Sequence, residues 1–217
     1  MRIEAVIFDC DGVLVDSEAI GNRVFAEAAT AAGAPMSSTE AFALFRGRKM
    51  ADCVALIEGR LGRAVAPDFV DELRARMAAC FKNEVRAVDG IEFALDRLAR
   101  PFCVASSGPA EKIRLTLGLT GLLPRFDGRI FSSYDVGSWK PEPDLFLHAA
   151  RAMGSDPAAC AVVEDTVWGV RSGVRAGMAV YGFAPVSPTS PDDARLLAAE
   201  GARVFSDMRL LPGLLDG

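Results

Sequence analysis

The chain has 217 residues, of which 51% are hydrophobic, 24% charged and 8% aromatic. That composition belongs to a compact protein with a sizeable core and excludes disordered, collagen-like and coiled-coil chains. Twenty-four basic against twenty-nine acidic side chains leave a net charge of −5, so no general basic field exists to hold a nucleic-acid backbone, and nucleic acid is not expected as a partner.

The five cysteines (Cys10, Cys53, Cys80, Cys103 and Cys160) are scattered and form no CxxC pair. They argue against a disulfide framework or a zinc site and point to reduced thiols in a cytosol. The opening MRIEAVIFDCDG holds no apolar stretch long enough for a signal peptide core or a membrane span. A soluble cytoplasmic protein without a membrane partner is expected, a monomer in the simplest case, though nothing in the sequence fixes the oligomeric state.

In chain order, the first apolar run, Ile3 to Phe8, is short, rich in β-branched residues and ends in an acidic turn, the pattern of a buried parallel strand. From Ser17 to about Glu84 the text reads instead as successive helices, 17–33, 38–45, 49–61 and 67–83, with Gly or Pro breaks. Strand-like runs return at Phe102 to Ala105, Cys160 to Val163 and Met178 to Tyr181, separated by helical periodicity. Alternating strands and helices predict an α/β protein whose parallel sheet is covered on both faces. The helical stretch then reads as an insertion: a discontinuous core of 1–16 and 85–217, and an all-helical cap of 17–84. The segment FAPVSPTSPDD (183–193), with three prolines, reads as a surface connection.

The chemistry begins at the end of the first strand, where FDCDGVLVDSE sets Asp9 and Asp11 two residues apart before a glycine. Open parallel sheets bind ligands at that edge. Two carboxylates there repel each other unless a cation or a proton intervenes, which points to a hard, oxygen-loving metal such as Mg²⁺.

FDCDGVLVDSE resembles the first motif of the haloacid dehalogenase superfamily of phosphatases and mutases, and three later segments resemble its other motifs in the right order. VASSG (104–108) offers Ser106 as the hydroxyl that binds the phosphoryl group, with Ser107 beside it; Trp139-Lys140-Pro141 offers Lys140 as the cation; VVEDT (162–166) offers Glu164 and Asp165 as acidic metal partners. The resemblance spans the chain and implies a Rossmann-like α/β core with a helical cap. It also implies a mechanism: Asp9 attacks phosphorus to give an aspartyl phosphate, and Asp11 serves as general acid and then general base. Mg²⁺ would be held by Asp9, the Asp11 backbone carbonyl and Asp165, with Glu164 orienting Asp165 or binding through a water, while Lys140 and Ser106 bind the phosphoryl oxygens.

Departures narrow the choice. Dehalogenases and phosphonate-cleaving relatives lack the second acid of the DxD pair, so Asp11 argues for a phosphate ester. Sugar phosphomutases of the β-phosphoglucomutase type carry a histidine after the DxD and an arginine in the cap loop, where this chain has Gly21 and Met50. A mutase is the alternative within the superfamily, and a non-enzymatic metal- or metabolite-binding relative is the alternative outside catalysis; the latter should have lost Asp9, Asp11 or Lys140.

The cap loop FRGRKM (45–50) is basic in an acidic chain. Cap loops of this superfamily reach over the active site, so Gly47 and Lys49 are candidate substrate contacts, with Arg46 and Arg48 balanced between holding a distal anion and lying in solvent. Together FRGRKM, CVASSGP and SSYDVGSWKPEPDLFLHAARAM look more like the bacterial 6-phosphogluconate phosphatase branch than the phosphoglycolate branch. The expected partner is a small phosphorylated metabolite, a sugar or sugar-acid phosphate, with Lys49 near its carboxylate.

Other signals carry less. Cys80 and Arg86 have thiol-phosphatase spacing, but the intervening FKNEV is bulky and free of glycine. His148, the one histidine, sits in a helical pattern as an ordinary structural or surface residue, and Trp139 and Trp168 read as packing residues that flank the site.

Overall fold

The computed structural model describes residues 2–185 and 192–217. It contains a six-stranded parallel sheet in the order β3-β2-β1-β4-β5-β6. These strands are β1 (Ala5–Phe8), β2 (Phe102–Ser106), β3 (Ile130–Ser132), β4 (Cys160–Glu164), β5 (Ala179–Phe183) and β6 (Arg203–Phe205). The sequence reading found β1, β2, β4 and β5, which lie in the interior of the sheet. It missed β3 and β6, three-residue edge strands whose IFS and RVF are too short and too polar to stand out as apolar runs. β2 and β4 also run one residue further than their apolar runs, because Ser106 pairs with Ser132 and Glu164 with Gly182. The polar ends of both strands are thereby fixed by the sheet itself.

β1 is central and its four residues are fully inaccessible. Its alternation divides the interior: Val6 and Phe8 face one core, Ala5 and Ile7 the other. The second core is covered by α8 (Asp144–Ala152) and α9 (Val167–Arg175). The first is covered by α5 (Ile91–Arg97), α6 (Ala110–Leu119) and α11 (Leu211–Asp216). Two further short helices, α7 (Ser133–Val136) and α10 (Asp193–Ala199), follow β3 and precede β6.

Four helices occupy the stretch read as an insertion: α1 (Glu18–Ala32), α2 (Ser38–Phe45), α3 (Met50–Leu61) and α4 (Phe69–Glu84). Their boundaries follow local signals. Ser37 caps α2 by accepting from the Glu40 amide, and left-handed glycines end α1 and α3 at Gly33 and Gly62. The apolar faces meet around Phe25, Phe45, Ile57, Leu73 and Phe81, and the Phe25 and Phe45 rings lie 4.7 Å apart. These side chains continue into the core beneath, so the helical cap and the sheet share apolar packing.

The two connections between sheet and cap run side by side. Val15 pairs with Ala87, the Asp16 amide donates to Arg86 O at 2.9 Å, and the Val88 amide donates to Leu14 O at 3.0 Å. Of the proline-rich segment 183–193, residues 186–191 lie outside the described residues; Phe183 ends β5 and Asp193 begins α10. Among the described residues no helix is long and apolar enough to cross a membrane.

Candidate active site

β1 and β4 are adjacent and parallel, so their C-terminal ends deliver Asp9, Glu164 and Asp165 to one point of the sheet edge. Carboxylate oxygens of these three residues all lie within 4.8 Å of one another, and the three side chains are buried. Lys140, following α7, reaches them from the other side. Its Nζ donates to Asp9 Oδ1 at 2.6 Å, to Glu164 Oε1 at 2.6 Å and to the Ala105 carbonyl at 3.2 Å. Glu164 is fixed further by the Asp165 and Thr166 amides, each donating to Oε2 at 2.9 Å, and by the Thr166 hydroxyl at 3.0 Å.

Two glycines make this crowding possible. Gly12 has φ +77°, and a Cβ there would lie 2.3 Å from Asp165 Oδ2; a Cβ on Gly169 would lie 1.8 Å from Glu164 Oε1.

The electrostatics follow from burial. Burial drives the Asp9 carboxyl up to about 7, helped by Glu164 and Asp11 and opposed by the Lys140 ammonium. Asp165 is likewise driven well above the usual carboxylate range by burial and by Glu18, against the pull of Arg46. Lys140, despite its burial, is held above its ordinary value by Asp9 and Glu164. Three buried carboxylates thus face two cations, Lys140 and Arg46, and among the described residues Asp165 Oδ1 is buried without a hydrogen-bond partner. An all-oxygen donor set with excess negative charge and an orphaned carboxylate oxygen fits a hard divalent cation.

Asp11 behaves differently. Its carboxylate turns away from the cluster and accepts from Lys112 Nζ at 2.8 and 2.9 Å and from the Ser17 hydroxyl. Burial works against its ionised form, but the charge and hydrogen bonds of Lys112 and the Ser17 hydroxyl outweigh it and lower the carboxyl below its ordinary value. Among the metal partners expected from sequence, Asp9, Glu164 and Asp165 come together, while the Asp11 side chain does not join them. Only its backbone carbonyl, the atom assigned from the resemblance, is left for that role.

A cavity of about 520 Å³ opens between this edge and the cap. It brings Asp9, Asp11, Ser106, Ser107, Lys140 and Glu164 from the core together with Gly47 and Lys49 from the cap loop. Ser106 is 1% exposed and accepts from the Gly108 amide at 3.2 Å, while Ser132 holds the Gly108 carbonyl at 2.7 Å, so the turn after β2 is braced from β3. Gly47 has φ +72°, and its Cα side rests on Trp168, whose ring a Cβ would meet at 2.7 Å. Lys49 is exposed, with Nζ 5.9 Å from the Trp139 ring. The two tryptophans thus lie against the cap loop, Trp168 at Gly47 and Trp139 near Lys49.

Arg48 is exposed, but Arg46 is neither solvated nor a free anion-binding group: its guanidinium is enclosed by Glu18, Asp165 and Asp193. Cys80 lies on helix α4 rather than a phosphate-cradling loop, and His148 is exposed on α8, edge-on to Phe131.

Sequence reasoning missed Lys112. A signal existed: it sits in the first turn of α6, where the helix macrodipole disfavours a cation, so a lysine there needs a partner such as Asp11 to account for it.

A carboxylate-rich edge of a parallel sheet thus faces a buried lysine beneath a helical cap. A family model of haloacid dehalogenase-like hydrolases matches residues 3–177, and the chain belongs to that family, as an enzyme of its phosphatase class. The chain is 38% identical over 183 residues to the 6-phosphogluconate phosphatase of Escherichia coli, covering 84% of this chain and 83% of that one. A haloacid dehalogenase-like protein of unknown function from Agrobacterium tumefaciens superposes with a TM-score of 0.85 at 36% identity, over 99% of this chain and 98% of that one. A hydrolase of the same family from Deinococcus radiodurans, solved with bound phosphate and sodium, gives 0.79 at 32% identity, over 99% and 95% of the two chains.

Proposed function

We propose that the protein is a Mg²⁺-dependent phosphomonoester hydrolase acting through an aspartyl-phosphate intermediate on a small sugar or sugar-acid phosphate, 6-phosphogluconate above others. The observation that carries the proposal is Asp9: it is buried at the cavity floor, with Oδ1 tied to Lys140 at 2.6 Å and Oδ2 outside that bond.

In the first step an Asp9 carboxylate oxygen attacks phosphorus and the ester P–O bond breaks. The leaving alkoxide takes a proton from Asp11. In the second step water attacks the aspartyl phosphate, gives a proton to Asp11 and releases inorganic phosphate, which restores the Asp9 carboxylate. Lys140 balances charge at Asp9, while Ser106 and the backbone beside Ser107 orient the phosphoryl oxygens. Mg²⁺, held by Asp9, Asp165 and the Asp11 carbonyl with Glu164 adjacent, supplies positive charge to the transferring group when bound.

Lys112 fits both halves of this scheme. In the free enzyme it keeps Asp11 as a carboxylate. A phosphoryl group arriving in the cavity attracts Lys112 to itself, and Asp11 then holds a proton more readily. The cap helices, 17–84 in this reading, close over the core of 1–16 and 85–217 by bending the paired connections at Val15 and Ala87. A cytoplasmic setting matches five unpaired thiols.

The substrate assignment is supported by the Escherichia coli relative's name and by the exposed Lys49 on the cavity wall, where a distal carboxylate would meet it. Hydrolysis rather than phosphoryl migration is favoured because Gly21 and Met50, at the positions where mutases carry histidine and arginine, both line the cavity and bring no proton-transfer group to it.

The test is Mg²⁺-dependent phosphate release from 6-phosphogluconate, 2-phosphoglycolate, hexose phosphates and an aryl phosphate, with Asp9→Asn alongside. The expected result is preference for 6-phosphogluconate and a loss on the order of 10⁴-fold or more in Asp9→Asn. No release from any ester refutes the hydrolase reading, and equal rates across the panel refute the substrate assignment.

A further inference from the structure

One side chain of the cap reaches into the core edge without a part in the chemistry above. Arg46 follows α2, and its guanidinium touches three other elements. Nη2 donates to Asp165 Oδ2 at 3.0 Å and to the Asp165 carbonyl at 2.9 Å; Nη1 donates to Asp193 Oδ2, at the start of α10, at 2.6 Å; Nε lies 3.2 Å from Glu18 Oε2 on α1. The side chain is 18% exposed, although it belongs to a loop whose next three residues are exposed.

Its position relative to open space is equally specific. Arg46 lines the substrate cavity and also a second cavity of about 880 Å³, to which Asp165 belongs and Asp9 does not. The wall of this second cavity carries Asp16, Glu18, Asp89, Asp165, Asp193 and Asp207, with Arg46 and Arg209 as its cations. Arg46 therefore stands between an acidic approach and the carboxylate cluster.

We infer that Arg46 is a counterion of Asp165, that it competes with a divalent cation for that carboxylate, and that the position of the cap loop is thereby coupled to metal binding. The inference rests on the metal-dependent reading of the site. A guanidinium at 3.0 Å from Asp165 Oδ2 partly neutralises the acid. A divalent cation taken up by the unpartnered Oδ1 comes within one carboxylate's width of that guanidinium, and the two positive charges repel. Glu18 and Asp193, which already hold the guanidinium, remain its partners as it draws back from Asp165. Coupling of this kind is reciprocal: a cap loop bound to Asp165 weakens cation binding by the factor by which the cation loosens the loop.

The sign of one substitution separates this role from a purely structural one. If Arg46 only braced Asp165, its removal would leave the ligand misplaced and the cation would bind less tightly. As a competing charge, its removal strengthens binding.

The experiment measures free Mn²⁺ by electron paramagnetic resonance during titration of the metal-stripped 217-residue chain, for wild type, Arg46→Gln and Arg46→Lys, at fixed ionic strength. The expected result is about tenfold tighter binding in Arg46→Gln, an order-of-magnitude figure for one unit charge removed beside a partly buried cation, and near wild-type affinity in Arg46→Lys. Independently of any variant, hydrogen exchange in the wild-type segment 42–50 should quicken when Mg²⁺ is added. Wild-type binding with equal or weaker affinity in Arg46→Gln, or slower or unchanged exchange in that segment, overturns the inference and leaves the metal site standing. Absence of Mn²⁺ binding in every form overturns the metal-dependent reading and the inference with it.

Discussion

Replacing Lys140 with methionine removes the one ammonium that Asp9 and Glu164 share while nearly conserving volume. The side chain is 4% exposed and its partners 9% and 1%, so water does not take over its role. Leaving a buried ion pair with one partner costs about 3–5 kcal/mol, a large part of a domain's total stability of about 5–15 kcal/mol. With a urea slope of about 2 kcal/mol/M, the unfolding midpoint of metal-free Lys140→Met should fall by about 1.5–2.5 M at pH 8. The loss should shrink at pH 5, and the sign follows from wild type. Asp9 rises from 3.8 to about 7 on folding, and a carboxyl raised on folding contributes stability that is complete below its unfolded value and gone once the pH has risen through its folded value. Without Lys140 that folded value moves higher still, so the variant depends more on the bound proton than wild type does. Added Mg²⁺ should recover part of the deficit by supplying the missing positive charge. A midpoint at pH 8 within about 0.3 M of wild type, about 0.6 kcal/mol at that slope, would refute the reasoning that Lys140 holds the carboxylates together.

Two further predictions concern neighbours of the same cluster. Gly12→Ala places a methyl group 2.3 Å from Asp165 Oδ2 at a backbone φ of +77°; the left-handed conformation alone costs about 1–2 kcal/mol, and the displaced carboxylate should weaken Mn²⁺ binding measured by titration, an outcome absent if Asp165 is not a ligand. Lys112→Met should lower kcat by about 10- to 100-fold, at or below the lower end of the range for general acid–base assistance because Asp11 itself is retained, and shift the alkaline limb of the kcat/KM profile to higher pH because Asp11, the general acid of the first step, loses the charge that keeps it ionised; Lys112→Arg should restore much of the rate. An unchanged alkaline limb in Lys112→Met would separate Lys112 from Asp11.

What could be read from the text depended on how local the signal was. β1, with its apolar run and DxDG end, is decided by adjacent residues, and so are the four cap helices, whose capping serine and terminal glycines stand in the sequence. The acids of the site were legible because each follows a strand that is legible, and the parallel pairing of β1 with β4 then brings Asp9, Glu164 and Asp165 to one edge. The edge strands β3 and β6 were not legible, since three-residue strands take their identity from a neighbour already in place.

The partners of Arg46, and Lys112 altogether, escaped the reading for a related reason. Their charges have no partner nearby in sequence: Arg46 meets Asp165 119 residues away and Lys112 meets Asp11 101 residues away. Sequence shows a basic loop and a lysine in an unfavourable helical turn, but the partner that converts each from a solvated charge into a bound one exists only after the cap has folded against the sheet. The acids of the cluster and Lys140 are therefore carried by motifs, while the contacts of Arg46 with Asp165 and of Lys112 with Asp11 are set by tertiary structure. In the same loop Gly47 seats the chain on Trp168, while Lys49, exposed on the cavity wall, pairs with Asp52 at 3.7 Å, three residues along the chain.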